Sequence, residues 1–219
     1  LFLGGLGRAE EAAEVLLALA RDPQLEAETR GVAALFLGPV GYAEVNVLDN
    51  LLALASDSQI EAWVRSAAAS ALGQLGRTDR RVLDVLLALA GDSQIEASVR
   101  STAAEALGHL GYTDRRVLDV LLTLANDSQV VAGVRSTAAE ALGHLGRAEE
   151  AADVLLALAR APQVEVRVRS TAAEALGHLG RAEEAADILL ALAGDPRVDD
   201  EVRSEAYESL KRLVGGGTD

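Results

Sequence analysis

The chain of 219 residues has no cysteine and no methionine, one lysine against nineteen arginines, and only 3% aromatic residues. Without cysteine there is no disulfide framework, no thiolate zinc site and no thiol nucleophile. The same absence fits a reducing compartment, and a cytoplasmic setting is expected. No apolar run approaches the 18 residues that would span a bilayer, and no signal-peptide pattern opens the chain. Positive charge is also short. The formal net charge is −14, which argues against sequence-independent binding to nucleic acid, where cations must displace counterions from phosphates. It equally disfavours an anionic membrane surface. Because Leu1 is not a translation start, the chain is expected to be a piece of a longer protein.

What the chain has in excess is alanine and leucine, 42 and 37 residues, over a third of the total. They are arranged in a repeat. Val64-Arg65-Ser66 recurs at Val99-Arg100-Ser101, Val134-Arg135-Ser136, Val168-Arg169-Ser170 and Val202-Arg203-Ser204, at steps of 35, 35, 34 and 34 residues. A paired leucine keeps the same beat at Leu17, Leu52, Leu87, Leu122, Leu156 and Leu190. Self-similarity at this period marks stacked supersecondary units that share one continuous core. The repeat predicts a partial first unit at 1–21, full units at 22–56, 57–91, 92–126, 127–160 and 161–194, a capping helix at 195–214 and a tail at 215–219.

Each unit reads as two helices. The first is expected over a stretch such as 93–111, capped by Asp92 or Ser93 and ended by Gly111 in a left-handed conformation. In two units Asp22-Pro23 and Asp195-Pro196 place proline at the expected first helical position. The second helix, as at 147–159, has Glu149 and Glu150 in its first turn, where negative charge favours the helix dipole. Second helices are apolar almost all round, as expected of a helix touching its own partner and a neighbour on each side. The 35-residue units carry one extra residue between the two helices, GRTDRRVLDVLL against GRAEEAADVLL. At the ends, LFLGGLG at 1–7 aligns with EALGHLG at 105–111, the last turns of a first helix. EVRSEAYESLKRLV at 201–214 replaces small and apolar positions with polar ones, as a terminal cap would.

The pattern V-R-x-x-A-A-x-A-L-G-x-L-G, supplied by Val99-Arg100, Ala103-Ala104, Ala106-Leu107-Gly108 and Leu110-Gly111, resembles HEAT-like repeats of the phycobilisome-lyase type and covers almost the whole chain. The resemblance implies an all-α, right-handed α-solenoid. One departure is about an extra turn around SQIEAS or PQVEVR, which lengthens the first helix or forms a separate turn. Tetratricopeptide repeats are the rival, through GRAEEAADVLLALARAP at 146–162, but their large aromatic positions are filled here by alanine and leucine. Repeats of the resembled class serve as protein-interaction scaffolds, as lyase-type chaperones for bilin attachment to a phycobiliprotein, and as C-terminal sensor arrays of bacterial signalling NTPases. The first and last roles imply a protein or peptide partner and no cofactor.

In the resembled family the x positions of the first helix lie exposed on the concave face. Carried over, they form a ladder of Ser101, Thr102, Glu105 and His109, then Ser136, Thr137, Glu140 and His144, then Ser170, Thr171, Glu174 and His178. Duplication of STAAEALGHLG alone explains why these are the only histidines. A Ser–Glu–His catalytic reading fails, because Ser101 and His109 stand about 12 Å apart along one helix, beyond hydrogen-bond reach. Metal binding fails as well: an i,i+4 pair such as Glu105 and His109 supplies two ligands where zinc usually takes three or more. Trp63, at the position of Ser98, Gly133 and Arg167, is the one tryptophan; it either anchors a partner or covers a neighbouring helix. The repeated arginine is expected to bond backbone or acidic groups between repeats, such as Asp84, Asp119, Asp153 or Asp187. No phosphate-binding glycine loop is present.

Overall fold

A computed structural model describes residues 9–40, 45–75 and 79–215. The readings of 1–7 as the end of a helix and of the tail beyond 215 lie outside the described residues. Twelve helices and no strand occur among the described residues. They are α1 (Ala9–Arg21), α2 (Ala27–Val40), α3 (Val45–Ser56), α4 (Ala62–Gln74), α5 (Arg80–Gly91), α6 (Ala97–His109), α7 (Arg115–Asn126), α8 (Ala132–His144), α9 (Ala148–Arg160), α10 (Val166–His178), α11 (Ala182–Gly194) and α12 (Asp200–Gly215). The chain divides into two compact bodies, residues 1–120 and 121–219. In each body consecutive helices pack in antiparallel-type pairs, and first helices also pack on first helices, the pattern of an α-solenoid.

The core is built from the repeat itself. From the second pair onward the first member of each paired leucine is fully buried, at Leu51, Leu86, Leu121, Leu155 and Leu189, and so are Leu72, Leu107, Leu142 and Leu176 of the first helices. Second helices that read as apolar all round do have a solvent side, a stripe of aspartate and small residues such as Asp84 with Ala88 and Asp153 with Ala157. Alanine on that stripe hides the amphipathicity from a hydrophobicity pattern.

The two turns of the repeat differ in chemistry. Between the second helix and the next first helix, Asp57, Asp92 and Asp127 each accept a hydrogen bond from the backbone N–H two residues on, at 2.8–2.9 Å. Their carbonyls accept from the third residue, as in Ile95 N–H to Asp92 O at 3.2 Å. This is a β-turn organised by an Asx contact, and it corrects the expected caps. Asp92 and Ser93 do not cap α6, whose N-cap is Glu96 and carries no side-chain cap. Pro23 and Pro196 stand in the turn and not at a first helical position, since α2 and α12 begin at Ala27 and Asp200. The additional residues therefore form a separate turn and leave the first helix at 13 residues.

Between first and second helix the repeat length decides the join. In the 34-residue repeats Gly146 and Gly180 adopt φ of +79° and +85°. Arg147 N–H reaches Leu142 O at 2.9 Å and Gly146 N–H reaches Gly143 O at 3.0 Å, a Schellman closure. In the 35-residue repeats the extra residue makes room for an aspartate cap: Asp79 accepts from Arg81 N–H at 2.9 Å and Asp114 from Arg116 N–H at 2.8 Å. Gly111, at φ +69°, still ends its helix in the left-handed region as expected.

The arginine at this point of each first helix, after Thr29 in the first case and after a valine in the other five, has the same backbone partner throughout. Nε–H of Arg30, Arg65 and Arg100 donates to the carbonyls of Ala20, Ala55 and Ala90 at 3.4, 3.4 and 3.3 Å. In the second body Arg135, Arg169 and Arg203 donate to Ala125, Ala159 and Ala193 at 3.0, 3.1 and 3.3 Å. Every acceptor is the penultimate residue of a second helix, one of the carbonyls that the helix leaves without an internal partner. A cation there also faces the negative end of the dipole. The acidic partners are Glu61 for Arg30, Glu96 for Arg65 and Asp200 for Arg203, at 2.8, 3.0 and 2.9 Å. The expected Asp84 instead receives Arg116, at 3.0 Å, in an exposed ladder with Arg81–Asp49 at 2.7 Å.

The last of the Asx turns gives a titration that can be checked. Arg197 donates from its guanidinium to Asp195 at 2.8 and 3.0 Å and from its backbone N–H at 2.9 Å, and these bonds hold the carboxyl down at about 2. A depressed folded value means that its stabilisation is complete above the ordinary carboxylate pKa near 4 and is lost as the pH falls through about 2. Carbon-detected NMR titration of Asp195 is expected to place its midpoint near 2 in the wild type and closer to the ordinary value in Arg197→Ala.

Candidate protein-binding surface

The outward stripe of the first helices follows from helical spacing, three to four residues per step. In the first body it runs through Val32, Leu35 and Pro39 on α2, Ser70 and Gln74 on α4, and Thr102, Glu105 and His109 on α6. In the second body it runs through Thr137, Glu140 and His144 on α8, Thr171, Glu174 and His178 on α10, and Glu205, Glu208 and Arg212 on α12. The same repeat positions are thus apolar on α2 and charged from α6 onward.

Not all ladder residues face outward. Ser136 and Ser170 are 3% and 7% exposed, and Ser101 is half-buried, because the serine lies about 100° round the helix from the threonine beside it. Ser136 donates to Glu140 Oε1 at 3.1 Å. The threonine hydroxyls turn back on their own helices: Thr102, Thr137 and Thr171 donate to the carbonyls of Ser98, Gly133 and Arg167 at 3.0, 3.2 and 3.1 Å. Glu174 is engaged by Arg212 Nη2 at 2.6 Å. The accessible members are Glu105, His109, His144, Thr171 and His178, with Glu140 half-buried.

Trp63 has an unexpected counterpart. It is 51% exposed at the start of α4, and its indole lies across Gly31 of α2: a Cβ placed on Gly31 would stand 2.2 Å from Nε1 and 2.4 Å from Cδ1. Gly31 occupies the position held by Ser66, Ser101, Ser136, Ser170 and Ser204 in the other repeats. Two departures from the repeat in adjacent units, one large and one minimal, were the available signal of this pair. The indole is therefore held over one helix while half its surface remains open. Gly31→Ala is expected to displace it: emission of this sole tryptophan shifts to the red and iodide quenching rises. Stability changes by less than about 1 kcal/mol, since alanine's helix preference offsets the lost contact. Unchanged emission and quenching would contradict the geometry.

Among the described residues no three His, Asp or Glu side chains gather as a metal-binding set. No described helix is long and apolar enough to cross a membrane. Glu105 and the exposed histidines His109, His144 and His178 offer hydrogen-bonding and charged contacts to a partner, and Trp63 offers an apolar one.

Comparison with known proteins agrees with this architecture. No curated protein matches the chain. Among solved structures it is similar to the complex of CpcE and CpcF of phycocyanin lyase from Nostoc, at 24% identity and a TM-score of 0.62, covering 92% of this chain and 76% of that one. It is also similar to human deoxyhypusine hydroxylase, at 19% identity and a TM-score of 0.50, covering 98% and 99%. Kap121p matches at 21% identity and a TM-score of 0.52, over 91% of this chain but only 23% of its own length. At these identities the likeness is one of fold. The family model for HEAT repeats matches residues 13–97, 48–133, 95–167 and 132–211. Together those overlapping windows cover residues 13–211, and the chain belongs to the HEAT-repeat family.

Proposed function

We propose that this chain is a non-catalytic binding module that receives a protein or peptide partner on the outward row of its first helices, in a cytoplasmic setting. The observation that carries the reading is Trp63, fixed over Gly31 yet half exposed. A tryptophan held in one orientation loses little entropy on binding, and such residues dominate interface energetics. The charged and hydroxyl residues of the row, Ser101, Thr102, Glu105, His109, Ser136, Thr137, Glu140, His144, Ser170, Thr171, Glu174 and His178, form its polar remainder. Within it the buried serines act through their neighbours. A sensor array within a larger signalling protein is the finer form of this reading, and it is supported by the resemblance of the repeat.

The test replaces Trp63, Glu105, Glu140 and Glu174 together with alanine. The variant is expected to keep its helical circular dichroism and lose at least tenfold in affinity for any protein that the wild type binds. Unchanged affinity would remove the assigned row. The alternative, a lyase-type chaperone for bilin attachment, predicts that a free bilin changes its absorption spectrum on mixing with the chain; an unchanged spectrum is expected.

A further inference from the structure

The second body contains a groove of about 580 Å³ between α10 and α12. Four carboxylates line it, Glu174, Glu201, Glu205 and Glu208, against two guanidinium groups, Arg167 and Arg212. Both cations are already engaged. Arg167 bridges Glu201 at 3.1 Å and Glu205 at 2.9 Å, and Arg212 holds Glu174 at 2.6 Å and Ser209 Oγ at 2.9 Å.

One polar group in this groove has lost the partner that its repeat equivalent has. Ser136 donates to Glu140, four residues on. Ser170 stands in the same relation to Glu174, but Arg212 has drawn that carboxylate away. Ser170 is 7% exposed, lines the groove and makes no hydrogen bond among the described residues. A hydroxyl that no protein group engages, opening onto a groove with an excess of carboxylates, favours a cationic donor.

We infer that the groove between α10 and α12 takes an arginine side chain of the partner protein, seated against Ser170 and the Glu201–Glu205 pair in the place that Arg167 now fills. The inference rests on the reading of the first-helix row as a protein-binding surface. A planar guanidinium carries donors enough for two carboxylates and a hydroxyl at once, which a lysine ammonium matches less well. Arg167 then acts as an internal competitor: while it bridges Glu201 and Glu205, an incoming arginine must displace it. The side chain of Arg167 is 48% exposed, so displacement moves it into water and does not strand a buried charge.

The experiment uses the full chain, labelled for NMR, titrated with the blocked tripeptide acetyl-Gly-Arg-Gly-amide and with its citrulline counterpart, which keeps the shape and removes the charge. Backbone amides of Ser170, Ser204 and Glu205 are expected to shift with the arginine peptide and not with the citrulline one. Arg167→Gln is expected to tighten binding about threefold or more by releasing two carboxylates. Ser170→Ala weakens it several-fold, and Glu201→Gln with Glu205→Gln abolishes the shifts while the rest of the spectrum is kept. Equal response to both peptides would overturn the proposal, as would weaker binding in Arg167→Gln. Shifts produced by inorganic phosphate and lost in Arg167→Gln would overturn it in favour of an anion site. A protein partner that depends on Trp63 but ignores the groove variants would overturn this inference and leave the protein-binding reading standing.

Discussion

Arg65→Met lowers the unfolding free energy of the chain by about 2 kcal/mol, and Arg65→Ala by about 4 kcal/mol. The two values separate two contributions. Methionine keeps a buried apolar stem but removes the donor to Ala55 O and the bond from Nη1 to Glu96. Ala55 is fully buried, so its carbonyl is left without a partner in a place water cannot reach, which costs 1–3 kcal/mol. Glu96 is 54% exposed at its side chain and is rehydrated when the arginine is lost, so the ion pair itself adds little. Alanine removes in addition the Cγ methylene and the S-methyl group that methionine keeps and leaves a cavity, at about 0.8 kcal/mol for each carbon group before the cavity is counted. Urea titrations of the wild type and both variants measure the difference. Equal stability of Arg65→Met and wild type would show that the carbonyl is satisfied in another way. Because the same bond recurs in all six repeats that contain it, the result applies to the join between each second helix and the next first helix.

Gly73→Leu costs about 3 kcal/mol, while Gly177→Ala is close to neutral, although both positions are the glycine of the same A-L-G motif. A Cβ on Gly73 would stand 2.8 Å from Ala106 Cβ and 3.1 Å from Ala106 Cα. Backbone cannot rotate out of the way, so α4 and α6 must move apart and open the core that both bury. On α10 the nearest atoms to the Cβ of a residue at 177 all belong to the side chain of Leu213, with Cδ1 at 2.5 Å. Leu213 is half-buried near the end of α12 and can change rotamer. There the gain of about 1 kcal/mol from replacing a helical glycine by alanine offsets the adjustment. Parallel urea curves test both. A large loss in Gly177→Ala, or none in Gly73→Leu, would contradict the two packing modes.

Much of this architecture is written in periodicity. The 34–35-residue beat and the two helices per repeat follow from the sequence alone, as does the structural role of the arginine, because each is repeated often enough to separate signal from chance. Local chemistry was less legible. Asp92 looks like a helix cap, since aspartate before an apolar-periodic stretch usually is one. The same carboxylate serves equally well in an Asx turn, and only the position of Ala97 as the first helical residue decides between them. The acceptors of the repeated arginines are backbone carbonyls ten residues upstream, and a carbonyl has no sequence signature. The acidic residues that seemed natural partners, Asp84 among them, lie on the outer stripe of the second helices. Burial of Ser136 and Ser170 was legible in principle, from their angular offset against Thr137 and Thr171. Identity of the repeated STAAEALGHLG blocks concealed the loss at Ser170, because that loss is caused by Arg212, which replaces a histidine one repeat later.

The proposal that partners dock on the first-helix row is tested most directly by site-specific photo-crosslinking. A benzophenone amino acid is placed on the first-helix row at Gln74 and at His178, and on the outer stripe of the second helices at Ala53, with Trp63 kept in all three. All three positions are exposed, so the fold is kept in each. The expected result is a covalent adduct with one and the same protein from the positions at Gln74 and His178, and none from Ala53. Adducts formed from Ala53 while Gln74 and His178 remain unlabelled would contradict the assignment.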